Sequence, residues 1–190
     1  MGYAIAEAAL AAGHDVTLIS GPVNLDPPPS AQFVSILTSD EMCGAVHRHA
    51  RGCDLLVMCA AVADYKPRKA SATKIKKRNA HFALDLVPTR DILASLPHKN
   101  RQFLLVGFAA ETNDIEENAK QKLRAKNCDI IVANDVSSED SGMESDTNEV
   151  TIFFRNGERE RISRASKKII ARKLVKILIN YREKCLTKKM

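Results

Sequence analysis

The chain has 190 residues, of which 45% are hydrophobic and 27% charged, and a formal net charge of +6. That length and composition describe one globular domain with enough apolar side chain for a full core, and they exclude whole-chain disorder or a collagen-like repeat. No stretch approaches the roughly 18 to 20 apolar residues of a bilayer span, and no charged-then-apolar leader opens the chain, so the expectation is a cytoplasmic protein without a membrane partner.

Cys43, Cys53, Cys59, Cys128 and Cys185 are odd in number and irregular in spacing. They read as reduced thiols, with no metal-ligand pair among them. The excess positive charge is confined to one end. Residues 161–190 hold eleven Lys or Arg and a single acid, Glu183, so the remainder of the chain is net acidic. A basic tail without a base-reading motif reads as a solvated face, and no nucleic-acid partner is expected.

Taken in chain order, residues 2 to 12 predict an Ala-rich helix ending near Gly13, followed by a strand at Val16–Ile19. Gly21-Pro22 and Pro27-Pro28-Pro29 mark a loop before a strand at Phe33–Leu37. Ser39 is a candidate N-cap for a helix over 40–51. Leu55–Cys59 is a continuous apolar run, as in a strand buried on both faces. Residues 64 to 80 are polar and basic without a strong period, and Phe82, Leu84 and Leu86 alternate as in a half-buried strand.

Asp91–Leu96 predicts a short helix and Phe103–Phe108 another buried strand. Thr112 or Asn113 can cap a helix through about Lys126, and Ile130–Ala133 is a further buried strand. Residues 137 to 148 read as a loop. Val150–Phe154 and Glu160–Ile162 flank Asn156-Gly157, a hairpin signal. Ser163 is a candidate cap for a final helix with Ile170, Leu174 and Leu178 on one stripe. Strands alternating with helices predict an α/β fold. It would be a mostly parallel sheet with helices on both faces, an insertion over residues 64–90, and a C-terminal hairpin and helix. A doubly wound fold usually opens with a strand and a phosphate-binding turn, whereas this chain opens at a helix.

Ligands of open α/β sheets bind beyond the carboxyl ends of the strands. Three strand ends here pass through small residues to an acid: Cys59 to Asp64, Gly107 to Glu111, and Val132 to Asp135, the last through Asn134. Small side chains admit a flat ligand close to the backbone. The acids can accept from ribose hydroxyls or an amine, or can help hold a metal; equally, Ala packs well and acids favour loops. Lys74-Ile75-Lys76-Lys77-Arg78 can neutralise a triphosphate, or can be a solubilising loop. Lys122 and Lys126 share a helix face, and Phe108 can stack on a base or fill the core. His47-x-His49 is a weak metal spacing, and there is no P-loop, nucleophile elbow or dinucleotide fingerprint.

At Met1-Gly2-Tyr3-Ala4, Val16 to Val23, Ala60 to Tyr65, Lys74 to Lys77, Val106 to Thr112 and Ala133-Asn134-Asp135, the chain resembles the bacterial phosphopantothenate–cysteine ligase family. This family is also called phosphopantothenoylcysteine synthetase, the ligase half of the bifunctional coenzyme A biosynthesis protein. The resemblance runs from Met1 to about Tyr181. It implies a Rossmann-like, dimerising domain, here one unit over residues 1–190. It also implies a reaction: the 4′-phosphopantothenate carboxylate attacks CTP, with Mg²⁺ present, and L-cysteine then displaces CMP from the acyl-cytidylate to form an amide.

Residue by residue, the resemblance implies that Met58, Cys59 and Ala60 lie along the nucleotide and that Asp64 contacts it. It puts Lys74 on a flap against the triphosphate, with Lys76 and Lys77 beside it. Asp91, Ile92 and Leu93 would touch the nucleotide, with Arg90 where a proline is usual. Phe108, Lys122 and Lys126 would line the CTP pocket. Lys74 and Asp64 are the candidate catalytic residues; Asn134 and Asp135 are candidate substrate contacts, and no protein metal site is expected. Relatives carry an N-terminal strand, a Gly-rich turn and an Asn-containing segment before the Met-Gly pair, and a flavin-binding decarboxylase half as a separate or upstream partner. The competing readings are a nucleotide-binding or dimerisation module without turnover, and a nicotinamide-dependent reductase of general Rossmann type.

Overall fold

The computed structural model describes residues 1–69, 71, 73–76, 83–111, 114–135 and 147–187, with the main chain alone for Glu111 and Asp135. In order the elements are α1 (Gly2–Ala11), β1 (Thr17–Ser20), β2 (Gln32–Ser35), α2 (Ser39–His49), β3 (Leu55–Met58), β4 (Tyr65–Pro67), β5 (Leu86–Pro88), α3 (Ile92–Ser95), β6 (Leu104–Glu111), α4 (Ile115–Ala125), β7 (Ile130–Asp135), β8 (Thr147–Phe154), β9 (Arg159–Ser166) and α5 (Lys167–Thr187). No helix among the described residues is long and apolar enough to cross a membrane.

The central sheet runs β3-β6-β7-β8-β9. β3, β6 and β7 are mutually parallel, and the β8–β9 hairpin extends the sheet antiparallel. The apolar runs form the parallel strands because both faces are covered. Adjacent residues Leu105 and Val106 are each fully buried, which a one-sided sheet does not allow. On one face Leu105, Ala109 and Ile131 pack with Met42, Val46, Ile92 and Leu123 of α2, α3 and α4. On the other, Val106, Val132 and Ile152 pack with Ile5 of α1 and the Ile170, Leu174 and Leu178 stripe of α5.

Local chemistry explains most boundaries. Thr38, rather than Ser39, caps α2: its hydroxyl accepts from the Glu41 amide while Glu41 reaches back to the Thr38 amide. Asp114 precedes α4 in a left-handed conformation; Thr112 and Asn113 lie outside the described residues. Gly157 turns the β8–β9 hairpin at φ 90°. Ser163 is not a helix cap but lies within β9, which runs on to Ser166 because its main chain pairs with β8 as far as Thr147. Leu84 and Leu86 are exposed and only Leu86–Pro88 is strand, since this segment pairs with β4 alone; Phe82 lies outside the described residues. The unforeseen β4 pairs antiparallel with β5, from Tyr65–Pro88 to Pro67–Leu86, and forms the base of a hairpin.

β1 and β2 pair in parallel as a separate sheet. Among the described residues β1 pairs only with β2 on one side, and β3 only with β6. A cavity of about 1710 Å³ runs between the facing edges of β1 and β3, floored by α1 and α5.

Gly107 leaves no room for a side chain between β6 and its neighbours. A Cβ there would meet Ile131 Cδ1 at 2.9 Å, Cys128 Sγ at 3.3 Å and Leu93 Cδ1 at 3.4 Å. Gly107→Ala is expected to cost about 1–3 kcal/mol by overpacking, read as a Tm lowered by several degrees; an unchanged Tm would show that Ile131 and Leu93 step aside freely.

Candidate active site

The topology brings the three predicted strand endings to one edge. β3, β6 and β7 are parallel neighbours, so residues 58–64, 107–111 and 132–135 all lie toward their carboxyl ends. Register sets Met58 beside Gly107, Ala110 beside Asn134 and Glu111 beside Asp135. Asn134 Oδ1 is buried and meets no hydrogen-bond donor among the described residues. Unsatisfied buried acceptors are rare, so this oxygen is an available partner for a bound N–H or O–H.

Alternation along the strands divides the candidates between two faces. Met58 and Val62 pack toward α2, α3 and α4. Cys59 and Phe108 pack toward α1 and α5. Burial pushes the Cys59 thiol up to about 12, against the opposing pull of the nearby amino terminus. Cys59 is therefore a neutral thiol, and what it offers a ligand is its main chain. Phe108 does not share a face with Asp91–Leu93, Lys122 and Lys126, so a ligand touching both sets must cross the sheet edge.

On the first face a chain of contacts joins residues far apart in sequence. Thr89 Oγ1 donates to the Ala63 carbonyl at 2.5 Å, and the Thr89 amide to the Asp64 carbonyl at 2.8 Å. Two residues on, Asp91 caps α3 by accepting from the Ala94 amide at 3.0 Å. The same carboxylate pairs with Lys126 at the carboxyl end of α4. Lys122 lies one turn earlier on α4 and is half-buried. The segment 63–64, Thr89, Asp91 and Lys126 thus form one connected wall.

Desolvation alone would raise the Asp91 pKa, but the Ala94 amide and Lys126 outweigh it and hold the carboxyl below its usual 3.8. A depressed folded-state pKa contributes stability that is present above the unfolded value and lost as pH falls through the folded one. Wild-type protein is therefore expected to lose more stability than Asp91→Asn as pH falls from just above 3.8. Urea unfolding of both at pH 6 and at pH 3 (about one unit below the carboxylate range) measures this. Equal losses would show that the pair contributes nothing to folding.

The β4–β5 hairpin is pinned at its base. Lys66 pairs with Asp40 of α2, and Arg68 with Asp85 at 2.6 Å. It carries Lys74 and Lys76, both exposed, so these cations can move onto an anion without leaving a core. Lys77 and Arg78 lie outside the described residues, as does the Asp135 side chain. Asp64 is exposed at the junction of β3 and the hairpin. Among the described residues no group of three His, Cys, Asp or Glu could hold a metal ion. The sequence did not single out Thr89, whose bonds to residues 63 and 64 depend on the hairpin closing.

The family described as DNA/pantothenate metabolism flavoprotein C-terminal domain matches residues 1–181. The coenzyme A biosynthesis bifunctional protein CoaBC of Bacillus subtilis is 46% identical over 88% of this chain, and that of Escherichia coli K12 is 42% identical over 84%. The chain spans about two fifths of the length of these relatives. The crystal structure of the C-terminal domain of a CoaBC protein superposes with a TM-score of 0.79 at 37% identity, covering 96% of this chain and 82% of that one. The DNA/pantothenate metabolism flavoprotein from Streptococcus pneumoniae shares the fold, with a TM-score of 0.76 at 21% identity over 94% of this chain and 86% of that one.

Proposed function

Because the chain belongs to the DNA/pantothenate metabolism flavoprotein C-terminal domain family, we propose that it ligates 4′-phosphopantothenate to L-cysteine at the expense of CTP. The connected wall from Asp64 through Thr89 and Asp91 to Lys126, continuous with the base of a hairpin that carries Lys74 and Lys76, is the observation that carries this reading. A carboxylate is a poor acyl donor because oxide is a poor leaving group. Its oxygen attacks the α-phosphorus, the bond to the β-phosphate oxygen breaks, and pyrophosphate leaves. The cysteine amine then attacks the acyl carbon, the bond to CMP breaks, and the nitrogen loses a proton. Neither step needs a protein nucleophile, so the work is positioning and neutralising charge.

Lys122, Lys126 and the hairpin lysines serve the triphosphate, with Asp64, Met58, Ala60 and Phe108 along the nucleoside. A magnesium ion would come bound to the phosphate oxygens. Asn134 Oδ1 is free to accept from a substrate donor. The active unit is a homodimer, as the sequence resemblance implies, working beside a flavin decarboxylase.

The cavity between β1 and β3 takes one further parallel strand, which the same resemblance expects. Among the described residues β1 pairs with β2 alone and β3 with β6 alone, and Ile19 and Leu56 give the cavity apolar walls. α1 begins at its carboxyl end, where Tyr3 Oη donates to Ser20 Oγ at 3.1 Å. The second reading is nucleotide binding without turnover, which the exposed hairpin lysines and the Asp91–Lys126 pair would serve equally well. A synthetic extended peptide of alternating Val and Thr is expected to raise the Tm in a concentration-dependent way; no shift at millimolar peptide would count against a strand-binding slot.

The deciding assay is pyrophosphate release from CTP and 4′-phosphopantothenate, with and without cysteine, with ATP and UTP as controls. Release in both arms with amide only when cysteine is present supports the ligase. CTP binding by calorimetry without release supports the second reading, and absence of both sinks the proposal.

A further inference from the structure

α3 is a single turn, Ile92–Ser95, too short to persist without outside support. Its apolar side is anchored by Ile92, 4% exposed, and by Leu96 just beyond it, 2% exposed. Its polar side is held at both ends. At the start Asp91 caps it and pairs with Lys126. At the end Ser95 Oγ donates to the Ile92 carbonyl at 2.7 Å and lies 2.8 Å from His47 Nε2 of α2.

The direction of that second bond follows from the first. The Ser95 hydroxyl has one proton, and the Ile92 carbonyl takes it. Ser95 Oγ must then accept from His47, which puts a proton on Nε2. A histidine that donates to a serine cannot draw off its proton, so the pair is not a nucleophile and its base. It is a tie between two elements. α2 is a firm post: its amino end carries a full capping box, and Met42, Cys43, Ala45 and Val46 bury its inner face. Cys43 Sγ approaches Ser95 Oγ at 4.0 Å from the same helix.

We propose that His47 is a positioning residue for the nucleotide site: its Nε2–H ties Ser95 to α2 and thereby fixes where the one-turn helix presents Asp91 to Lys126 of α4. This rests on the CTP-ligase reading above. The neutral ring protonated at Nε2 and the imidazolium can both donate, so the tie does not depend on ring charge.

The test compares His47→Leu, which removes the donor, with His47→Gln, whose amide nitrogen reaches about as far as Nε2. The KM for CTP is expected to rise about five- to tenfold in the Leu variant, the size of one lost neutral hydrogen bond. The Gln variant should return to within about twofold, with the KM for cysteine and the Tm little changed in both. Amide hydrogen exchange at Ala94 and Ser95 gives a second readout that needs no turnover. Faster exchange in the Leu variant and recovery in the Gln variant would support the tie even if the wild type proved unable to use CTP, which would count against the ligase reading alone. Unchanged exchange, or Leu and Gln variants that behave alike, would overturn it.

Discussion

Asp129→Ala is expected to lower the unfolding free energy by up to about 3–5 kcal/mol, the cost of leaving one partner of a buried ion pair uncompensated, since Arg101 is buried and Asp129 half-buried. Asp129 Oδ2 accepts from the Arg101 guanidinium and from the Leu105 amide at 2.8 Å. Arg155 approaches the other oxygen at 3.7 Å. Arg101, with only 8% of its side chain exposed, also donates to the Asn127 carbonyl at 2.8 Å and lies over the Phe103 ring at 5.8 Å. This cluster ties the start of β6 to the turn that leads into β7. Removing the carboxylate leaves a guanidinium with poor access to water and a strand amide without its acceptor. A domain of this kind has about 5–15 kcal/mol in total, so the loss would be a large fraction. Urea unfolding with an unchanged m-value is the measurement. The double variant Arg101→Met, Asp129→Leu should be less damaging than Asp129→Ala, because it removes both charges. A loss below about 1 kcal/mol for Asp129→Ala would place the pair with ordinary surface ion pairs.

Lys126→Ala should reduce amide formation with CTP by about 100-fold or more, as expected for removing one preorganised donor to developing phosphate charge. Lys126 Nζ pairs with Asp91 at the end of the wall. An incoming polyphosphate offers stronger acceptors than one carboxylate, so the lysine can turn to it without being desolvated afresh. Stability is a separate matter. The pair is substantially exposed, so Lys126→Ala should cost less than about 1 kcal/mol. Activity falling with an unchanged Tm is the signature sought, by pyrophosphate release and calorimetric CTP binding on one preparation. Turnover within about threefold of wild type would remove Lys126 from the machinery.

The parallel strands were legible because burial on both faces demands unbroken apolar runs, and Leu55–Met58, Leu104–Ala110 and Ile130–Ala133 supply them. α5 was legible from its stripe, and the last hairpin from Asn156-Gly157. Boundaries set by one hydrogen bond were less so: Thr38 takes the cap expected of Ser39, and strand pairing claims Ser163 before a helix can start there. β4 was missed because its pairing with β5 spans some twenty residues without a local period.

The residue types and order along this chain determined its family, its parallel core and the three acid-ended strand tips, since each is a property of local pattern or ordered motif. Tertiary structure alone decided which candidates meet. It joined Lys126 to Asp91, Thr89 to residues 63 and 64, and His47 to Ser95, and it put Phe108 on the other face of the sheet from α3 and α4. Such contacts join residues more than twenty positions apart. They depend on strand register and on how helices lie against the sheet, and a one-residue shift in either would give the same sequence a different set of partners.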